Sequence, residues 1–156
     1  MYYNRYMSLH QDIKSQMIEA MKAKDAVRLS VIRGLLSSFT NEAVAKKRKP
    51  DEELSDEEAL SVISRAVKQR KDSIEQFEKG SRPDLAEVEK TELSILEAYL
   101  PAQMSREEVF EYVKKKAELE GFNKAKAGQF MGGIMKELKG RADGGIVKEI
   151  IDKLTV

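Results

Sequence analysis

The chain contains no cysteine and only one histidine, which narrows the chemistry it can support. Without cysteine it forms no disulfide, offers no thiolate to a metal and has no cysteine nucleophile. The single histidine, His10, cannot by itself build a zinc or di-iron site of the usual kind. Its place at the start of a helix predicts a surface residue. We therefore expect no catalytic residue, no metal ligand and no cofactor.

Long apolar runs are also missing. No stretch approaches the roughly 18 apolar residues that a membrane-spanning helix needs, and no apolar segment typical of a secretory signal follows the first residues. These absences predict a soluble protein with a cytoplasmic location and no membrane partner. The opening segment Met1–Tyr6 has no periodic pattern. We interpret it as a disordered or extra segment before a more natural start at Met7.

Aromatic residues make up 6% of the chain and tryptophan is absent. Proteins that read single-stranded bases depend on aromatic side chains for stacking, so any recognition of RNA is expected to use backbone and shape. The net charge of +1 does not indicate a nucleic-acid partner for the molecule as a whole. The glycine pair Gly128 and Gly132 lacks the Lys-Ser ending of a Walker phosphate-binding loop.

Helical periodicity, by contrast, runs along nearly the whole chain and predicts an all-α fold. Capping residues mark the expected helix starts, at Ser8, Asp25, Ser55, Ser105 and Asp143. The apolar patterns predict four longer helices and then three shorter ones, at about 9–23, 25–46, 55–80, 83–100, 105–121, 124–139 and from 143 onward. Pro101 closes the fourth helix. It divides the chain into an N-terminal four-helix unit at 1–100 and a small three-helix tail domain at 101–156.

Three charged residues interrupt apolar stripes: Arg28 in the second helix, Arg70 in the third and Glu92 in the fourth. If the third and fourth helices form an antiparallel hairpin, Arg70 and Glu92 come out nearly level. A bidentate, largely buried ion pair that orients the bundle is then the favoured interpretation. The alternative is a functional anion pocket that uses Arg28 and Arg70. The short basic run Lys46–Lys49 is interpreted as solvated, with a tRNA contact as its alternative.

The segment Lys124–Gly145 interleaves glycines and lysines within a helical pattern. Gly128, Gly132, Lys136 and Lys139 fall side by side at the edge of the apolar face. Two glycines inside one helix indicate a close backbone approach, because glycine weakens a helix. Close helix packing is the favoured interpretation of the glycine pair alone, and contact with a phosphate backbone is the alternative. The backbone amides at 143–146 are expected to offer further phosphate donors.

Several motifs together resemble the YqeY family and, less closely, the C-terminal tail domain of the glutamyl/aspartyl-tRNA amidotransferase. The matching pieces lie between residue 68 and residue 144, and they are Lys68–Ser73, Tyr99–Pro101 with Gln103, Lys126–Gly128, Met131–Gly132, Met135–Lys136 and Lys139–Gly144. The resemblance implies an all-helical, two-part protein without its own catalytic apparatus. In the amidotransferase, the similar tail helps to hold the tRNA while other domains perform the chemistry.

These observations favour a non-catalytic accessory protein that binds the RNA backbone through its C-terminal domain. The expected RNA-binding residues are Lys124, Lys126, Gly128, Gly132, Lys136, Lys139 and Arg141. The expected partners are tRNA and a component of a tRNA amidotransferase or an aminoacyl-tRNA synthetase. A helical protein-interaction adaptor is the alternative. A carbon–nitrogen ligase with glutamine as amide donor is a third reading, and it rests on the family name alone.

Overall fold

The computed structural model describes residues 7–138 and 140–154, and these residues form α-helices, a short 3-10 turn and connections, with no strand. The helices are α1 (Leu9–Lys22), α2 (Ala26–Ala45), α3 (Asp56–Lys79), α4 (Pro83–Glu97), α5 (Arg106–Glu120), α6 (Ala127–Leu138) and α7 (Gly144–Lys153). The 3-10 turn, Lys124–Lys126, leads directly into α6. The prediction of an all-α fold is confirmed. The prediction for Met1–Tyr6 falls outside the described residues.

The chain divides into two compact units, Met1–Tyr99 and Leu100–Val156. We call them the N-terminal unit, which holds α1–α4, and the C-terminal unit, which holds α5–α7. No helix in the described ranges is both long enough and apolar enough to cross a membrane.

Side-chain caps fix most helix starts. Full capping boxes form at Ser55 with Glu58 and at Ser105 with Glu108, where each serine accepts from the glutamate amide and each glutamate accepts in return. At α1 the sequence predicts a capping box of Ser8 with Gln11. Only the Ser8 half is present, because the Gln11 side chain donates to Glu53 over 2.8 Å instead. Helix α4 ends at Glu97, three residues before the predicted end at Leu100.

The core of the N-terminal unit lies between α1, α2 and the α3–α4 hairpin. Its buried apolar side chains include Leu9, Ile13, Val31, Ile32, Leu35, Phe39, Leu54, Ile63, Val67 and Leu96. The sequence predicts an apolar stripe on α1 made of Leu9, Ile13, Met17, Ile18 and Met21. The helix departs from this prediction, since Ile18 and Met21 are half exposed and Gln16 is buried. The Gln16 carbonyl oxygen accepts hydrogen bonds from Arg28 at 2.8 Å and from the Tyr99 hydroxyl at 2.9 Å. These bonds satisfy a polar group that would be costly to bury alone.

His10 is buried, so the prediction of a surface residue is wrong. Its Nδ1 accepts a hydrogen bond from the Leu54 amide over 3.0 Å, and its ring centroid lies 4.9 Å from that of Phe39. Burial and the nearby Lys14 ammonium lower the pKa of the imidazole, while Glu53 acts in the opposite direction. His10 is buried by a long-range contact, because the segment before α3, which contains Leu54, folds back over the start of α1.

The core of the C-terminal unit is formed by one face of each of its three helices. Its buried members are Val109, Val113, Ile134, Leu138, Ala142, Val147, Ile150 and Ile151. Phe122 and Phe130 pack edge to face at its margin, with ring centroids 5.1 Å apart. This packing fixes the inner face of α6 and leaves its other face free of the core.

Candidate functional site

The outer face of α6 carries three exposed glycines, Gly128, Gly132 and Gly133. We call them the glycine strip. A Cβ atom built at any of the three meets no other atom within 4 Å, apart from the helix's own backbone and its chain neighbours. The favoured interpretation of the glycine pair, close packing against another helix, is therefore not realised among the residues that the structure describes. The strip exposes helix backbone that no side chain covers.

Basic side chains accompany the strip. Lys124 and Lys126 lie in the 3-10 turn before α6, and Lys136 lies one turn after Gly132 and Gly133. All three are exposed, and none has a described carboxylate within 4.0 Å. Their charge is therefore available to an external anion.

Arg141 follows α6 and is exposed. Its backbone carbonyl accepts a hydrogen bond from the Met104 amide at 2.8 Å, whereas its Nε lies 3.5 Å from the Ala102 carbonyl oxygen, a long contact. The backbone hydrogen bond therefore fixes the main chain at Arg141, whereas the weakly bonded guanidinium is available to bind an anion. Lys139, the remaining predicted lysine, lies outside the described residues.

Glu137, the acid within this basic segment, is already paired. The Lys116 ammonium lies 2.8 Å from its carboxylate, and the Tyr112 hydroxyl also donates to it. Both hydrogen bonds lower the pKa of Glu137, and the bond from Lys116 has the larger effect. Because the same ammonium also binds Glu120 at 2.8 Å, it offsets the charge of Glu137 only in part, and some negative charge remains beside Lys136.

The expected phosphate donors at the start of α7 are partly in use. The Ile146 amide donates to the Asp143 carboxylate at 3.0 Å, and the Val147 amide donates to the Asp143 carbonyl at 3.0 Å. Asp143 thereby caps the helix and places a negative charge at the position proposed for a phosphate. The expectation of an anion site at 143–146 is corrected accordingly.

Arg70 and Glu92 form the ion pair that the sequence predicts, with 2.6 Å between guanidinium and carboxylate. The burial is partial, because the side chains remain 33% and 20% exposed. A second carboxylate, Glu89, binds the same guanidinium at 2.8 Å. Arg28 bonds to Gln16 and does not line the cleft beside Arg70. The two arginines proposed for an anion pocket therefore do not share one site.

Two of the four basic residues that follow α2, Lys46 and Arg48, are paired, whereas Lys47 and Lys49 have no described carboxylate within 4.0 Å. Lys46 and Arg48 bind the Glu58 carboxylate at 2.7 and 2.8 Å. Hydrogen bonds from Lys46, from Arg48 and from the Ser55 amide lower the pKa of Glu58 to about 2. These contacts favour the structural interpretation of Lys46–Lys49 over the tRNA contact.

The family comparison covers nearly the whole chain. The model described as "Yqey-like protein" matches residues 10–154. Similar proteins carry the name "Altered inheritance of mitochondria protein 41, mitochondrial". One from Kluyveromyces lactis is 41% identical over 110 residues, which are 69% of this chain and 56% of the relative. One from Candida glabrata is 34% identical over 122 residues, 74% of this chain and 65% of the relative.

A third relative, from Lachancea thermotolerans, is 41% identical over 96 residues, which are 61% of this chain and 49% of the relative. The chain thus spans about half the length of the curated relatives it matches. The prediction of a cytoplasmic location is contradicted, because the relatives are named as mitochondrial proteins.

Proposed function

This chain belongs to the YqeY-like family, and we propose that its C-terminal unit binds the sugar-phosphate backbone of structured RNA, above all tRNA, without catalysing a reaction on it. The proposal rests on the exposed face of α6. There the glycine strip leaves helix backbone uncovered, and Lys124, Lys126 and Lys136 stand beside it without a described carboxylate partner.

The uncovered backbone gives the lysines a close approach to RNA. A side chain at Gly132 would hold a sugar-phosphate backbone away from the helix, whereas glycine lets it approach. Helix propensity alone would favour alanine at these exposed positions by about 0.5–1 kcal/mol. Internal packing does not require glycine here, since a Cβ would meet nothing within 4 Å. We therefore attribute all three glycines to contact with a partner molecule.

This face favours recognition of shape over base sequence. Phe130 of α6 and Phe122, which precedes the 3-10 turn, pack against each other and against the core. They are therefore not displayed for stacking on bases. Lysines act on phosphates as mobile point charges and carry no sequence information. Different folded tRNAs are expected to bind with similar affinity.

An adaptor that receives a partner helix on the glycine strip is the second candidate, because small residues also allow close helix packing. The lysines without described partners favour RNA over an apolar helix. The relatives' names direct the search for the RNA to mitochondria first. A tRNA amidotransferase or an aminoacyl-tRNA synthetase remains the proposed protein partner.

Titration of unfractionated tRNA into the protein at several salt concentrations tests the proposal. With the coefficient for duplex DNA, three or four neutralised phosphates give a log–log slope between about −2.7 and −3.6. Lys136→Ala should make this slope shallower by about one unit. Lys115→Ala is the matched control: it removes an equally exposed lysine from α5, and we expect it to leave the slope unchanged. A wild-type slope near zero, or equal effects of the two variants, would contradict the proposal.

A further inference from the structure

In the N-terminal unit, α2, α3 and α4 enclose a cleft of about 380 Å³. We call it the three-helix cleft. Its volume lies within the range of roughly 300–1,000 Å³ that is typical of small-molecule sites. Its apolar lining consists of Val31, Leu35 and Leu96, which are buried, and Ala66, which is half-buried. Ser30, Gln69 and Ser73 add polar groups that form no hydrogen bond with another described residue.

Gly34 keeps the cleft open. It lies in the interior of α2 among the lining residues, and a Cβ built on it meets nothing within 4 Å. Contact with another part of the chain therefore does not require glycine at this position. A larger side chain would project into free space at the cleft and reduce the room for a ligand.

An ion cluster at the edge of the cleft carries a net negative charge. Arg70 and Glu92 line the cleft and are 2.6 Å apart, and Arg70 also binds Glu89, which lies outside the lining, at 2.8 Å. One guanidinium cannot neutralise two carboxylates, so the cluster retains about one negative charge. The sign is opposite to what the anion pocket, the alternative interpretation of the sequence, would need. An incoming anion would be repelled, whereas a cation would offset the excess charge.

We propose that the three-helix cleft binds a small organic cation, an ammonium or guanidinium group attached to an apolar body. The apolar body packs on Leu35 and Leu96. The cationic group lies near Glu92 and donates hydrogen bonds to its carboxylate and to the Ser73 hydroxyl, both of which can accept them. The site is separate from the glycine strip and stands whether or not the C-terminal unit binds RNA.

A matched set of three probes tests the charge preference on the full chain. Cyclohexylmethylammonium, cyclohexylmethanol and cyclohexanecarboxylate share one apolar ring and differ in charge. Each is titrated while the backbone amide resonance of Gly34 is followed in proton–nitrogen correlation spectra. We expect the ammonium to bind about tenfold more tightly than the alcohol, as a charge-assisted hydrogen bond implies. The carboxylate should produce no saturable shift.

Two variants locate the binding. Gly34→Leu should abolish the saturable shifts by filling the cleft, whereas Ser37→Leu adds the same side chain to an exposed position of α2 outside the lining and should not. Glu92→Gln should weaken the ammonium about tenfold and leave the alcohol unchanged. Its control is Glu97→Gln, which removes an exposed carboxylate of α4 paired with Lys71 and should leave both probes unchanged.

Each contrary outcome overturns the proposal. Equal binding of the ammonium and the alcohol would reduce the cleft to an unselective apolar surface. Tighter binding of the carboxylate would restore the anion pocket. Failure of all three probes to perturb Gly34, or persistence of the shifts in a folded Gly34→Leu variant, would show that the cleft holds no cation.

Discussion

In the N-terminal unit, many lysines and arginines bind carboxylates of neighbouring helices, whereas the lysines beside the glycine strip have no described carboxylate within 4.0 Å. Arg70 joins α3 to α4 through Glu89 and Glu92, Lys71 binds Glu97 at 2.9 Å, and Lys90 binds Glu78 at 2.9 Å. The C-terminal unit also has such pairs, as between Arg106 and Glu149 at 2.7 Å and, four residues after Gly133, between Glu137 and Lys116 at 2.8 Å. Paired cations are part of the fold, and unpaired ones on a single face are available for binding.

The same contrast holds for glycine. Gly34 in α2 borders a cleft with an excess of negative charge, whereas the glycine strip in α6 is accompanied by positive charge. Neither position is required by contacts within the chain. Glycine that weakens a helix without helping its packing indicates a use outside the fold, and the surrounding charge indicates which kind of ligand is involved.

The largest expected effect comes from removing three strip lysines together. Lys124→Ala, Lys126→Ala and Lys136→Ala in one protein should lower tRNA affinity at least about a hundredfold at 50 mM salt, because about three phosphate contacts are lost. Fluorescence anisotropy with labelled tRNA measures the affinity.

The matched control removes three cations that are paired in the N-terminal unit. Lys46→Ala, Arg65→Ala and Lys71→Ala together change the net charge by the same amount, yet these residues bind Glu58, Glu42 and Glu97. We expect tRNA affinity to stay near the wild-type value. If both triple variants weaken binding equally, total charge and not the α6 face controls it.

His10 provides a smaller effect that is confined to the N-terminal unit. Its pKa is lowered in the folded protein, so the unfolded chain binds more protons between the folded pKa and about 6.5. The stability it contributes is present above pH 6.5 and is lost as pH falls towards the folded pKa. The free energy of unfolding should therefore drop by at most about 1.4 kcal/mol between pH 7.5 and 5.5.

Urea unfolding at the two pH values measures this loss, with His10→Asn as the comparison. Asparagine places an acceptor oxygen near the position of Nδ1 and does not titrate. The variant should keep the bond to the Leu54 amide and lose the pH dependence. The carboxylates whose pKa values are shifted, such as Glu42 and Glu58, are all shifted downward, away from this window. An unchanged pH dependence in His10→Asn would rule out His10 as its source.

The contrast between His10 and the helix caps shows what the sequence could and could not predict. Ser55, Ser105 and Asp143 cap helices through residues three positions away, so local pattern was enough to locate those starts. His10 and Gln16 are buried by partners more than 40 positions away, Leu54 and Tyr99. No local pattern contains such contacts. The face of α1 that enters the core was therefore assigned wrongly.

The candidate site shows the same division. The sequence placed Gly128, Gly132 and Lys136 on neighbouring positions of one helix, because helical geometry alone decides that. Whether anything packs on those glycines depends on the tertiary structure, which leaves them open. The anion pocket failed for the same reason. Arg28 and Arg70 each interrupt an apolar stripe, but their partners, Gln16 and the two glutamates, come from other helices.

The ion pair between Arg70 and Glu92 should contribute less than the sequence suggested. A largely buried pair would cost roughly 3–5 kcal/mol to break, but these side chains are partly exposed and Arg70 keeps Glu89 as a second partner. Glu92→Gln should therefore lower the free energy of unfolding by about 1 kcal/mol, the upper end for exposed pairs. A measured loss above about 3 kcal/mol would restore the buried interpretation.

The smallest effect is also the most direct comparison of the two units. Gly132→Ala and Gly34→Ala each place a methyl group where nothing lies within 4 Å. Both should therefore stabilise the protein by about 0.5–1 kcal/mol through helix propensity, as measured by urea unfolding. Only Gly132→Ala should weaken tRNA binding, since only there does the proposed RNA approach the helix backbone. Weaker binding in a more stable protein cannot be attributed to loss of fold. Equal tRNA binding by the two variants would mean that the strip does not contact RNA closely, and the lysines alone would then carry the interaction.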